Sequence, residues 1–118
     1  MKPAYTYRSK LKRVIDGDTI VVDVDLGLET WKHNQYLRLY GVDTPEIRGD
    51  EKVAGQAARL FVICELEGRN MVIETHKGDS KGKYGRWLAT VWYVHWDGHW
   101  ANLNEELVKF GHGESIDG

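Results

Sequence analysis

The chain has a single cysteine, no surplus of basic charge and no long apolar run. With Cys64 alone, no intrachain disulfide can form. Cys64 falls in an apolar helical pattern, which predicts a core position. The 16 Lys and Arg against 18 Asp and Glu leave a net charge of −2. Proteins that hold nucleic acid by bulk electrostatics are normally basic. Any polyanion binding here must therefore come from a local patch or a bound cation. No stretch is long and apolar enough to cross a membrane, which predicts no membrane partner. Met1 is followed by a polar, basic segment and not by the apolar run of a signal peptide. The expected location is cytoplasmic, unless a leader was removed. No internal repeat or low-complexity segment is visible. The length fits one domain, residues 1–118, with a modest core.

What is present is a run of short strand patterns. Tyr5 to Ile15 and Thr19 to Val24 read as strands around Asp16-Gly17-Asp18, a strong hairpin signal. Turn chemistry alone explains the two aspartates. They can also point oxygens into one small volume, as hard divalent cations prefer. Residues 25–34 read as a loop, with Trp31 covering core edge. Leu37-Arg38-Leu39-Tyr40 alternates as a strand and runs through Gly41-Val42 into Asp43-Thr44-Pro45-Glu46. Pro45 keeps Thr44 extended, so the strand ends there with a cation and two carboxylates on restrained backbone. A helix is predicted from Lys52 to Leu66, with Ala54, Ala57, Ala58, Phe61 and Cys64 or Glu65 on its apolar spacing. Asp50 is its expected N-cap and Gly68 its stop. Gly55 weakens the helix but leaves room for close packing.

Met71 to Thr75 reads as a strand, and 76–83 as a polar, glycine-rich mobile loop. Tyr84-Gly85-Arg86 closes that loop, and Trp87 to Trp96 returns to strand. Asp97-Gly98 makes another hairpin, where Trp92, Trp96 and Trp100 are expected to pack across strands. His95 and His99 flank this turn. With no carboxylate or cysteine read beside them, a metal pair is the minor reading. Asn102 or Asn104 caps a short helix near 105–110, ended by Gly111, and 112–118 reads as a frayed tail. This order predicts a mainly β (α+β) fold: a five-stranded, partly open OB-type barrel with one helix across it and a short C-terminal helix.

Three separated segments carry unusual groups: Asp16-Gly17-Asp18-Thr19, Arg38 with Asp43-Thr44-Pro45-Glu46, and Lys83-Tyr84-Gly85-Arg86. Clustered carboxylates with a divalent cation would cancel phosphate charge and acidify a bound water. Arginines at phosphorus would stabilise the transition state, and a carboxylate would orient or deprotonate the water. Together these suit phosphodiester hydrolysis.

The same segments closely resemble the staphylococcal nuclease (thermonuclease) family. The matching text is Val14 to Ile20, Arg38 to Glu46 and Lys83 to Ala89, with softer matches at 55–61 and 103–111. The resemblance implies that Asp18, Asp43 and the Thr44 main-chain carbonyl hold Ca²⁺, with Asp16 just outside. It implies that Glu46 positions the attacking water, that Arg38 and Arg86 clamp the scissile phosphate, and that Lys83 and Tyr84 contact a neighbouring phosphate. The implied substrates are DNA and RNA, single strands preferred, cut to 3′-phosphates with little sequence preference.

Two departures stand against the family pattern. The chain given ends soon after Gly111, where relatives continue into a further long helix. The expected cover for that core surface is the tryptophan hairpin, the tail or a second subunit, so a dimer is one expectation. Gly82 stands where relatives often have aspartate. The alternative function is a nuclease-like or OB-type module that binds nucleic acid without cutting it. Such modules commonly lose the metal and arginine positions, all of which are kept here.

Overall fold

A computed structural model describes residues 5–76 and 86–116. In chain order the elements are β1 (Thr6–Asp16), β2 (Thr19–Gly27), β3 (Thr30–Leu39), β4 (Val42–Asp43), α1 (Lys52–Leu66), β5 (Met71–Thr75), β6 (Trp87–Val94), β7 (Trp100–Asn102), α2 (Leu103–Lys109) and β8 (Glu114–Ser115). β1, β2 and β3 form an antiparallel meander, and β5 pairs antiparallel with both β1 and β6. β6 then runs parallel to β3, with Leu37 facing Trp87 and Leu39 facing Ala89. That last pairing closes five strands into a barrel. The mainly β, OB-type architecture read from the sequence is thus observed.

Alternation along the strands fills the barrel. Ile20, Val22, Leu37, Leu39, Met71, Ile73, Val91 and Tyr93 point inward and are essentially buried. Each large aliphatic removed from water in this way contributes about 1.5–3 kcal/mol before entropy is set against it. Where β3 leaves the barrel, buried Asn104 bridges the seam. Its Nδ2 donates to the Tyr40 and Ala89 carbonyls at 2.8 and 3.1 Å, and its Oδ1 accepts from the Val91 amide at 3.1 Å. The cap of α2 is Asn102, whose side chain accepts from the Glu105 amide.

Several expectations are corrected. Residues 25–34 are mostly strand: β2 and β3 extend into an exposed arm that turns at Leu28–Glu29, both with positive φ. Its residues are polar because both faces meet water, which erased the period-two signal. Trp31 on this arm is 37 % exposed, with Lys10 Nζ lying 5.2 Å from its ring centre. In α1 the buried face is Gly55, Ala58, Val62 and Leu66. Ala54, Ala57 and Cys64 face solvent, so the predicted stripe was rotated and Cys64 is not core. A 3₁₀ turn over Gly49–Glu51 leads into α1, and Glu51, not Asp50, sits at the cap position. Trp96 and Trp100 are 77 % and 51 % exposed and do not form the expected packed cluster. Residues 114–116, expected to fray, are held: β8 pairs antiparallel with β4, Asp43 facing Glu114, and the Ile116 amide donates to the Gly41 carbonyl at 2.9 Å. No helix among the described residues is long and apolar enough to cross a membrane.

Candidate active site

The corner where β3 ends is built from three strands and a helix. Thr19 faces Arg38 across β2 and β3, and Arg38 faces Leu88 across β3 and β6. Arg86, two residues before Leu88, therefore emerges on the same side as Arg38. The β1–β2 turn puts Asp16 opposite Thr19 and sets Asp18 against the loop that carries Thr44.

Small residues on α1 make this approach feasible. A Cβ on Gly17 would stand 2.8 Å from the Ala58 Cβ and 2.9 Å from the Thr44 hydroxyl. A Cβ on Gly55 would stand 1.9 Å from the Glu46 carbonyl oxygen. Gly17 is thus needed for contact distance, since its φ is not positive. The helix presses directly on the 43–46 loop through Gly55, as the close-packing reading expected.

The polar groups form a continuous chain. Arg86 Nη1 donates to Thr19 Oγ1 at 3.1 Å, and Thr19 Oγ1 donates to Asp18 Oδ1 at 3.2 Å. Asp18 Oδ2 accepts the Thr44 amide at 3.1 Å and lies 3.5 Å from Arg38 Nη1. Arg38 Nη2 reaches Asp43 Oδ1 at 3.3 Å. The same guanidinium donates to the Leu39 and Val42 carbonyls at 3.1 and 2.7 Å, which fixes its plane. One arginine therefore spans two carboxylates from different segments while its backbone partners hold it still.

Burial and pairing tune the acids. Asp18 is 8 % exposed. Burial alone would raise its carboxyl, but a hydrogen bond from Asp16, the Arg38 charge and the Thr44 amide outweigh burial and hold it below the usual range. Asp16 goes the other way. Burial, then the hydrogen bond and charge of Asp18, push it up to about 6. Below about pH 6 the pair thus holds a proton on Asp16 and a charge on Asp18; above it both carboxylates are charged.

The expected residues meet to different degrees. Asp16, Asp18, Arg38, Asp43, Thr44 and Arg86 are joined by the contacts above. Glu46 is exposed at the edge of the corner, its amide donating to Glu51 Oε1 at 3.3 Å. It lines a cleft of about 220 Å³ with Asp43, Thr44, Glu51 and residues 111–114. Lys83, Tyr84, Gly82 and nearly all of the expected 76–83 loop lie outside the described residues. Thr19, the link between Arg86 and Asp18, was read only as motif text. His76 was not read as part of the site: its ring stacks on Tyr40 at 3.9 Å and its Nε2 bonds the Thr90 hydroxyl at 2.7 Å.

The site is thus a strand-end corner of an OB-type barrel where carboxylates and two guanidiniums from separate segments meet. Residues 36–116 match the family described as staphylococcal nuclease homologue, a span that takes in Arg38, Asp43 to Glu46 and Arg86. The chain is 42 % identical to a thermonuclease of Staphylococcus hyicus over 105 residues, covering 86 % of this chain and 55 % of that protein. It is 41 % identical to a thermonuclease of Staphylococcus intermedius over 85 residues, covering 70 % and 46 %. An uncharacterized protein of Methanocaldococcus jannaschii matches at 33 % over 126 residues, covering 90 % and 58 %. The chain belongs to the staphylococcal nuclease family. It spans about half the length of the curated relatives it matches.

Proposed function

We propose that this protein is a Ca²⁺-dependent nuclease that hydrolyses DNA and RNA with little sequence preference, favouring single strands. The observation that carries this reading is Arg38 held between Asp18 and Asp43, with Arg86 tied to the same network through Thr19. Nuclease names among the relatives support it.

The donor set fits a hard cation. Asp18, Asp43 and the Thr44 carbonyl offer oxygen only, and Asp18 is kept ionised by its partners. Bound there, Ca²⁺ would supply neutralisation of phosphate charge and a more acidic water. Asp16 supports the site by accepting the Asp18 amide at 3.2 Å, which holds the turn that carries Asp18. Arg38 and Arg86 grip the scissile phosphate and stabilise the extra negative charge of the transition state. Glu46 orients the attacking water and takes its proton as the new O–P bond forms. The P–O5′ bond breaks, the 5′ oxygen takes a proton from solvent, and a 3′-phosphate remains. Lys83 and Tyr84 are assigned to the neighbouring phosphate. Phosphate contacts carry no base identity, hence the broad specificity.

The test is digestion of single-stranded DNA in Ca²⁺ and in EDTA. Cleavage to 3′-phosphate ends in Ca²⁺ alone is expected. Cleavage that persists in EDTA contradicts the metal role. Tight, salt-sensitive binding without cleavage in Ca²⁺ would favour the non-catalytic alternative instead.

A further inference from the structure

The far end of β6 carries a second cluster. Arg86 precedes this strand and His95 follows it, so nine steps of extended chain, roughly 30 Å at strand rise, separate them. Ligand atoms of His95, Asp97 and His99 all fall within 4.8 Å of one another. His99 Nδ1 contacts Asp97 Oδ1 directly, and His95 Nδ1 lies 3.9 Å from the same oxygen. The two imidazoles stack 5.1 Å apart. Asp97, a turn residue by sequence, thus supplies the carboxylate that the two histidines lack in the linear pattern.

We propose that His95, Asp97 and His99 form a binding site for Zn²⁺ or a similar borderline cation, separate from the acidic corner, with Glu65 as the positioning residue for His95. Two imidazoles and one carboxylate are a donor set for such ions. The ring nitrogen that faces the cluster, His95 Nδ1, is buried and has no hydrogen-bond partner among the described residues. A buried polar atom left this way is costly, and a ligand relieves the cost. The opposite nitrogen, His95 Nε2, lies 3.5 Å from Glu65 Oε1. Glu65 Oε1 in turn accepts the hydroxyl of fully buried Tyr93 at 2.8 Å. A carboxylate on the far nitrogen is the usual device that fixes a metal-binding histidine. Here it is anchored in the core.

The turn is preformed. The His95 amide donates to the His99 carbonyl at 2.7 Å, the Gly98 amide to the His95 carbonyl at 2.8 Å, and the His99 amide to Asp97 Oδ1 at 3.2 Å. A tetrahedral ion at about 2.0–2.2 Å from each ligand separates them by about 3.3–3.6 Å. The exposed Asp97 and His99 side chains reach that spacing by shifts of about an ångström. Three protein ligands leave a fourth position for water or a partner's group, and the ion would lock the β6–β7 hairpin.

The experiment titrates metal-stripped protein with Zn²⁺ against a chromophoric chelator, in the Asp18→Asn/Asp43→Asn background so that the corner cannot contribute. One equivalent is expected to bind. His99→Ala and Asp97→Ala should each weaken it at least ten-fold. Glu65→Gln should weaken it roughly ten- to a hundred-fold with an unchanged metal-free melting temperature. The His99 side chain is 59 % exposed, so its removal leaves the fold intact even where His95→Ala does not. Zn²⁺ should raise the melting temperature of the parent and not of His99→Ala. Co²⁺ substitution should give the visible bands of a four-coordinate site. No stoichiometric binding, or binding indifferent to both His99→Ala and Asp97→Ala, would overturn the proposal.

Discussion

The acidic corner and the β6–β7 turn both set carboxylates against nitrogen groups, but they are assembled in opposite ways. The corner draws Asp18, Arg38, Asp43 and Arg86 from β1–β2, β3 with its exit loop, and the start of β6. The turn takes its three ligands from five consecutive residues. A site of the first kind exists only when the barrel closes, so its geometry is bound to the whole fold. A site of the second kind needs one hairpin and one core anchor, Glu65. The corner also spends stability on function: Gly17 and Gly55 give up side chains, and Asp16 sits half-buried beside a like charge. The turn is mostly exposed and asks little of the core.

That contrast can be broken first at the arginines. Arg86→Ala and Arg38→Ala should each lower the hydrolysis rate by roughly 100-fold or more, as loss of a preorganised charge does. Circular dichroism should show both variants folded. An unchanged Arg86→Ala rate would refute its assignment. His99→Ala should leave hydrolysis in Ca²⁺ unchanged, because the turn lies at the opposite end of β6.

Next comes Gly55→Ala. On an open helix this change stabilises by about 1 kcal/mol. Here the new methyl would meet the Glu46 backbone, so either α1 or the loop must move. A loss of about 2–3 kcal/mol in urea unfolding is expected, together with lost activity. Neutral or increased stability would show that α1 does not press on the loop. At the seam, Asn104→Ala takes the side-chain partner from the Tyr40 carbonyl and the Val91 amide, while the Ala89 carbonyl keeps the Tyr40 amide, and should cost about 1–3 kcal/mol.

The smallest effect is a pH dependence. Asp16 is raised to about 6 in the folded chain from an ordinary value of 3.8. The folded state therefore holds the extra proton between these values, and stability present below pH 4 is lost as pH rises through 6. In EDTA, Asp16→Asn should be more stable than the parent at pH 7, with the advantage shrinking towards pH 4. Thermal melts across that range check it, and an advantage that grows on acidification would reverse the assignment.

The sequence was informative where several weak signals agreed. Residues 14–20, 38–46 and 86–89 announced both the strands and their charged ends, because buried β-branched and leucine residues alternate there with functional groups. It was poor where physics left little trace. The β2–β3 arm is wetted on both faces, so its strands carry no apolar alternation. The face of α1 was misjudged because alanine suits solvent and core equally, and only Gly55 marked the tight side. Asp97 was taken for turn chemistry, since its nearness to both rings depends on the shape of the hairpin. Thr19 as a bridge to Arg86 requires knowing that β6 lies alongside β3, a parallel pairing that local sequence does not encode.

The most direct measurement is a crystal structure with Ca²⁺ and a nucleoside 3′,5′-bisphosphate. The expected result is one ion bridging Asp18 and Asp43, with the Thr44 carbonyl among its ligands and the Arg38 and Arg86 guanidiniums on the same phosphate. An ion bound elsewhere, or the two guanidiniums turned to different faces of the barrel, would contradict the account.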